Sequence, residues 1–261
     1  MVKVIAVTNQ KGGVGKTTTA INLAAGLALA DMRVLVLDID AQANCSSGLG
    51  IIRGSLNKSI YNALIESEPL STVICDTELD SLKLAPADKN LSGAVVELQD
   101  QPEREFRLKR LLKPVLEKFD YILIDTPPSL NILTLNALVA SDSVLVPMQC
   151  EYFALEGLSD LFDTLTRVRA TLNPSLEICG ILLTMFDERT NLSSQVREEL
   201  RLHFSDKIFE TVIPRNIKLA EAPSFGKPAL LYDIRSKGAE SYIRLVREIL
   251  NYEKKGTGQG A

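Results

Sequence analysis

KVIAVTNQKGGVGKTTT, residues 3–19, decides the fold. The stretch opens on an apolar run, Lys3–Thr8, continuous rather than alternating, as in a strand covered on both faces. It closes on a helical pattern, Thr18–Ala30, in which Ile21, Ala24 and Ala28 share one stripe with Leu23 and Leu27 beside it. Between them lies Lys11–Thr17, KGGVGKT. Gly12, Gly13 and Gly15 let the backbone approach an anion with no Cβ in the way. The N–H groups of the loop, from Lys11 through Val14 to Thr18, and the start of the helix then face phosphate oxygens. Lys16 is placed to reach the β- and γ-phosphates of a nucleotide, and the Thr17 hydroxyl to ligate Mg²⁺. The common GxxxxGK[ST] pattern has glycine at position 10; here it is Gln10, and a second lysine, Lys11, opens the loop.

Working outward, six more apolar runs read as buried strands: Val34–Leu37, Leu82–Ala85, Tyr121–Ile124, Ser143–Val146, Cys179–Thr184 and Phe209–Ile213. Helical patterns separate many of them: Arg104–Phe119, with Phe106, Leu111, Leu112 and Val115 inward and Pro114 a break or kink; Glu156–Leu172; Asn191–Phe204; and Glu240–Tyr252. This alternation predicts a single-domain α/β fold, a doubly wound and mostly parallel sheet with helices on both faces. The domain is expected over residues 1–252, with 253–261 a flexible tail ending GTGQGA.

A phosphate loop needs carboxylates at neighbouring strand ends. Asp38 and Asp40 end the second run, VLVLDIDAQ, and Asp125 ends YILID. An apolar strand closing on one Asp suits a carboxylate that holds Mg²⁺ directly or through water. Guanine-reading loops carry [NT]KxD; Asn57–Ile60 lacks the Asp, which favours adenine.

Composition sets the outer bounds. Hydrophobic residues make up 46% and charged residues 24%, a globular balance, and the net charge of −4 excludes bulk polycation binding of nucleic acid. The charge is uneven, +2 over residues 181–261 and −6 over 1–180. The cysteines at 45, 75, 150 and 179 form no CxxC pair and no zinc spacing, which fits a reducing, cytoplasmic setting. The N-terminus runs straight into the strand pattern, so no leader is expected, and no apolar run approaches the ~18 residues of a membrane span.

KGGVGKTTT resembles the deviant Walker A motif of the ParA/MinD superfamily of ATPases. DIDAQANCSSGLG and DTPPSL resemble its switch segments, with Ala41 where the family commonly has Pro. QCEYFALEGL at 149–158, LLTMFDERTNL at 182–192 and VIPRNIKLAEAPSFGKP at 212–228 resemble the Soj/ParA chromosome-partitioning branch. The resemblance implies an ATPase using ATP and Mg²⁺, active as a homodimer that sandwiches two nucleotides. In that scheme Lys11 crosses to the partner subunit's phosphates, Asp40 positions the attacking water, and Asp125 serves the metal with Thr17. Pro214 and Asn216 pack near the adenine. Arg189 and Lys218 touch DNA nonspecifically, through its phosphates. A ParB/Spo0J-like activator stimulates hydrolysis, and the protein is nucleoid-associated in the cytoplasm, with no membrane partner.

Three other readings follow from parts of the sequence. A MinD-type membrane-cycling ATPase would use the stripe Tyr242, Ile243, Val246, Ile249 and Leu250, which reads instead as docked on the core. An iron–sulfur reductase would use Cys150, but no second cysteine follows DTPP. A nucleotide-locked scaffold would differ only in its turnover.

Overall fold

The apolar runs assemble into one sheet, seen in a computed structural model that describes residues 2–52, 54–55, 57–151, 154–204 and 207–257. Its strands are β1 (Lys3–Val7), β2 (Val34–Asp38), β3 (Cys75–Asp76), β4 (Leu82–Ala85), β5 (Tyr121–Asp125), β6 (Ser143–Gln149) and β7 (Glu177–Thr184). Their order is β3-β4-β2-β5-β1-β6-β7, and only the β3–β4 pair is antiparallel. Every residue of β2 and β5 is buried, as their unbroken apolar runs require. One face, carrying Ile5, Val7, Val36 and Leu123, packs on the helices Lys16–Leu29 and Lys237–Thr257. The other, carrying Val4, Ala6, Leu37 and Ile124, packs on the helices Ile132–Ala140, Ala154–Thr171 and Asn191–Phe204.

The closing helix shows why this works. Tyr242, Leu245, Val246 and Ile249 are buried, and Ile243 and Leu250 pack against the same cluster. Each buried aliphatic side chain contributes about 1.5–3 kcal/mol. The Tyr242 hydroxyl meets Thr19 Oγ1 at 3.1 Å, which ties this helix to the one that follows the phosphate loop. The stripe is therefore docked on the core. The helix continues to Thr257, past the expected boundary at 252, and residues 258–261 lie outside the described residues. No helix among the described residues is long and apolar enough to cross a membrane.

Two expected elements are corrected. The helix Arg104–Phe119 is broken into a 3₁₀ turn at Arg104–Phe106, an α-helix at Arg107–Leu112 and a second 3₁₀ turn at Leu116–Lys118. Pro114 lacks an N–H and crowds the residue before it, so the helix stops there. The run Phe209–Ile213 is not a ladder strand. Its two ends reach β7, Phe209 N–H donating to Ile181 O at 3.0 Å and Ile213 N–H to Leu183 O at 2.8 Å, and isolated bridges flank it, Ile181 with Ile208 and Phe186 with Pro214. The N–H groups of Glu210 and Thr211 donate instead to the Glu248 carboxylate, at 2.7 and 3.0 Å. β3 was not expected, because two residues are too short to make a pattern.

β6 and β7 slip register at Val144/Leu145, and Leu145 pairs with Gly180. A Cβ at Gly180 would stand 2.5 Å from the Phe209 ring. Gly180→Val is expected to lower unfolding stability by about 1–3 kcal/mol in urea denaturation, through overpacking beneath that ring.

Candidate nucleotide site

β1 lies between β5 and β6, so the loop after Val7 opens over the carboxyl ends of three neighbouring strands. This is where open α/β sheets place ligands. Gly13 and Gly15 adopt φ of 76° and 86°, and Gly15 immediately precedes the helix, which starts at Lys16. Positive φ at these positions is what turns successive N–H groups inward, and a side chain there would be strained.

The loop is pinned from outside. Asn9 Nδ2 donates to Pro147 O at 2.8 Å, and Asn9 Oδ1 accepts from Lys11 N–H at 3.0 Å. The Thr184 hydroxyl reaches both Val14 O, at 2.8 Å, and Met148 O, at 3.1 Å. The loop is thereby fastened to β6 and β7 before any ligand arrives. Lys16 is only 7% exposed, and its ammonium donates to Lys11 O at 2.9 Å. Burial lowers its pKa, while Asp125 and Asp40 pull it back up.

Asp38 and Asp125 are register partners at the ends of β2 and β5, and both are 0% exposed. Burial raises the pKa of each: Asp38 to about 6, and Asp125 well above the ordinary carboxylate range, with Asp38 adding repulsion. The Thr17 hydroxyl donates to Asp125 Oδ2 at 2.8 Å, and Asp125 Oδ1 is buried with no hydrogen-bond partner among the described residues. A hydroxyl and an unsatisfied buried carboxylate oxygen beside a phosphate-binding loop fit a hard divalent cation. A cleft of about 320 Å³ lies here, lined by Gly12, Gly13, Lys16, Thr17, Thr18 and Asp40 among others.

A second hollow, about 230 Å³ and mostly apolar, shares Gly15, Thr18 and Met185 with the cleft. Pro214 and Asn216 are among the residues that line it. Asn216 also caps the helix Ile217–Glu221, accepting from Lys218 N–H at 2.9 Å. Thr184, Met185, Leu219 and Tyr242 are also among its lining, and sequence did not single them out for this site. Met185 has φ of 49°, a left-handed backbone that no residue pattern announces.

The remaining expected residues fall elsewhere. The Lys11 ammonium leaves its own cradle and pairs with Glu151, just past β6, with its side chain 45% exposed. Arg189 is 89% exposed and bonded to Asp187, on a cleft of about 730 Å³ that Arg215, Lys237 and Arg244 also line. Lys218 is not in that lining; it pairs with Glu221 at 2.9 Å and lies over the Tyr232 ring. Cys150 is buried, and its thiol is pushed up to about 11 by that burial.

A model of the AAA domain family matches residues 2–178. The chromosome partitioning protein ParA of Myxococcus xanthus is 55% identical over 248 residues, covering 95% of this chain and 88% of that protein. The sporulation initiation inhibitor protein Soj of Bacillus subtilis is 53% identical over 249 residues, covering 95% and 98%. Among solved structures, cobyrinic acid a,c-diamide synthase from Mycobacterium smegmatis with bound ATP analog and magnesium has a TM-score of 0.86. It is 34% identical and covers 98% of this chain and 97% of its own.

The raised carboxyl pKa values set the sign of a pH effect. The folded state holds protons that the unfolded state releases near pH 4, so this pair's contribution destabilises the ligand-free chain as pH rises toward about 6. Asp125→Asn is expected to raise ligand-free stability at pH 7.5 by about 1 kcal/mol or more, by removing a buried charge. The same variant should lose the extra thermal stability that Mg²⁺ gives with ATP. Calorimetry with and without Mg–ATP checks both.

Proposed function

The chain belongs to the ParA/Soj family of chromosome-partitioning ATPases, and from that premise we propose that it works as an ATP-driven dimer switch on DNA. It is a P-loop ATPase in which one observation carries the reading of the site. The phosphate cleft and the apolar hollow border each other, with Gly15, Thr18 and Met185 lining both, which supports a nucleoside triphosphate laid across the two with its base in the hollow. Loop N–H groups and Lys16 bind the β- and γ-phosphates, and Pro214 and Asn216 flank the adenine. Thr17 and Asp125 would hold Mg²⁺, which when bound neutralises phosphate charge and orients the terminal group. Asp40 orients the water that adds to the γ-phosphorus as its bond to the bridging oxygen breaks and ADP departs. Lys11 points out of its own cradle, which supports delivery of this cation to the phosphates of a second copy.

The ATP dimer would hold DNA by its phosphate backbone. Arg189 and Lys218 are each paired with a partly exposed carboxylate, Asp187 and Glu221, that a phosphate could displace, and Arg215, Lys237 and Arg244 add positive charge to the cleft beside Arg189, which Asp187, Glu188 and Glu240 also line. Binding of this kind is sequence-independent and steeply salt-dependent. A ParB/Spo0J-like protein would accelerate hydrolysis and so release the dimer, and the working location would be the nucleoid in the cytoplasm.

Asp40→Ala is expected to bind Mg–ATP, to scatter light with the mass of two chains, and to stay on DNA in a filter assay. A single-chain mass would contradict the sandwich. Arg189→Ala combined with Arg244→Ala should weaken DNA binding at 100 mM salt by about tenfold or more, with ATP affinity unchanged. Equal DNA affinity would move the interface elsewhere.

A further inference from the structure

After β2 the chain must leave a buried strand end, present Asp40 at the cleft, and turn back into the helix Asn44–Gly48. Both feet of this arch are fastened to one carboxylate. Asp38 Oδ1 accepts from the Asp40 N–H at 3.2 Å, and Oδ2 accepts from the Ser46 N–H at 2.8 Å and the Ser46 hydroxyl at 2.7 Å. Ser46 Oγ accepts in turn from the Ala87 N–H at 2.9 Å, on the loop after β4, the strand beside β2. Inside the arch, Asp40 O accepts from Ala43 N–H at 2.8 Å and Asp40 Oδ1 from Gln42 N–H at 3.0 Å. Ala43 is held at φ of 51°, a left-handed backbone that a non-glycine residue keeps only when its surroundings over-determine it.

Asp38 does not line the phosphate cleft. It is fully buried, where a neutral cap would be less costly than a carboxylate. What the carboxylate adds is three donors drawn onto one short, charge-assisted clamp. We propose that Asp38 and Ser46 are positioning residues for hydrolysis: together they set where the Asp40 carboxylate stands over the phosphates, and so govern the rate of hydrolysis and not the affinity for nucleotide. The inference rests on the role given to Asp40 above. It also places the loop after β4 in the same device, because Ser46 bridges Asp38 to Ala87.

The test uses the full chain, radiolabelled ATP and Mg²⁺ in single turnover. Ser46→Ala should hydrolyse about 10–100-fold more slowly, the size of effect that a misplaced catalytic group produces. Its affinity for Mg–ATP should stay within about threefold, since binding groups are untouched. Ser46→Thr keeps the hydroxyl, and Ser46 is among the residues that line a cavity of about 420 Å³. Thr should therefore restore most of the rate. Adding Ser46→Ala to Asp40→Ala should not slow the residual reaction further. A Ser46→Ala chain as fast as the parent, beside a slow Asp40→Ala, would overturn the clamp alone. Parallel losses of rate and affinity that Thr does not rescue would also overturn it, in favour of a merely structural bond. A fast Asp40→Ala would instead remove the role of Asp40, and the clamp's purpose with it.

Discussion

Two carboxylates buried side by side at the ends of β2 and β5 are the constraint around which this molecule is arranged. Asp38 and Asp125 are register neighbours with no exposure to water, and like charges so placed repel. Three arrangements answer that cost. Thr17 donates to Asp125, Ser46 and the Asp40 backbone donate to Asp38, and the Lys16 ammonium stands close enough to favour the ionised form of Asp125. One oxygen of Asp125 is left over, beside a loop built to hold phosphates. A site for a cation and an anionic ligand follows from this imbalance rather than being added to a finished fold.

The two carboxylates divide the labour. Asp125 faces Thr17 and the phosphate loop, and Asp38 faces away, into the arch that carries Asp40. Pinning the loop through Asn9 and Thr184 keeps the anion cradle formed in advance, which lowers the ordering cost of binding. The Lys11–Glu151 pair is a different kind of contact. Both side chains are more than two-fifths exposed, and such a pair contributes roughly 0–1 kcal/mol. A stronger anion can displace it easily, which suits a cation that the proposed mechanism needs to travel.

The phosphate loop was legible because its chemistry is local: glycines and lysine at fixed offsets, between a strand and a helix. The strand-end aspartates were legible because each closes an apolar run. The apolar hollow beside the phosphate cleft was only half legible. Pro214 and Asn216 sit in one short motif, whereas Thr184, Met185, Leu219 and Tyr242 come from separate elements that only the fold brings together. Phe209–Ile213 has the composition of a strand, but a carboxylate on the last helix, Glu248, takes its Glu210 and Thr211 amides. The ion pairs of Arg189 with Asp187 and of Lys218 with Glu221 were not read from sequence. Each of these features depends on a partner whose position only the folded chain reveals.

The most direct test of the account is a crystal of the chain grown with a non-hydrolysable ATP analogue and Mn²⁺, with anomalous scattering used to locate the metal. The account predicts one metal peak bound by the Thr17 hydroxyl and the triphosphate, linked to Asp125 directly or through water, with the base against Pro214. A nucleotide seated away from the Lys11–Thr17 loop, or a metal with no connection to Thr17 and Asp125, would contradict it.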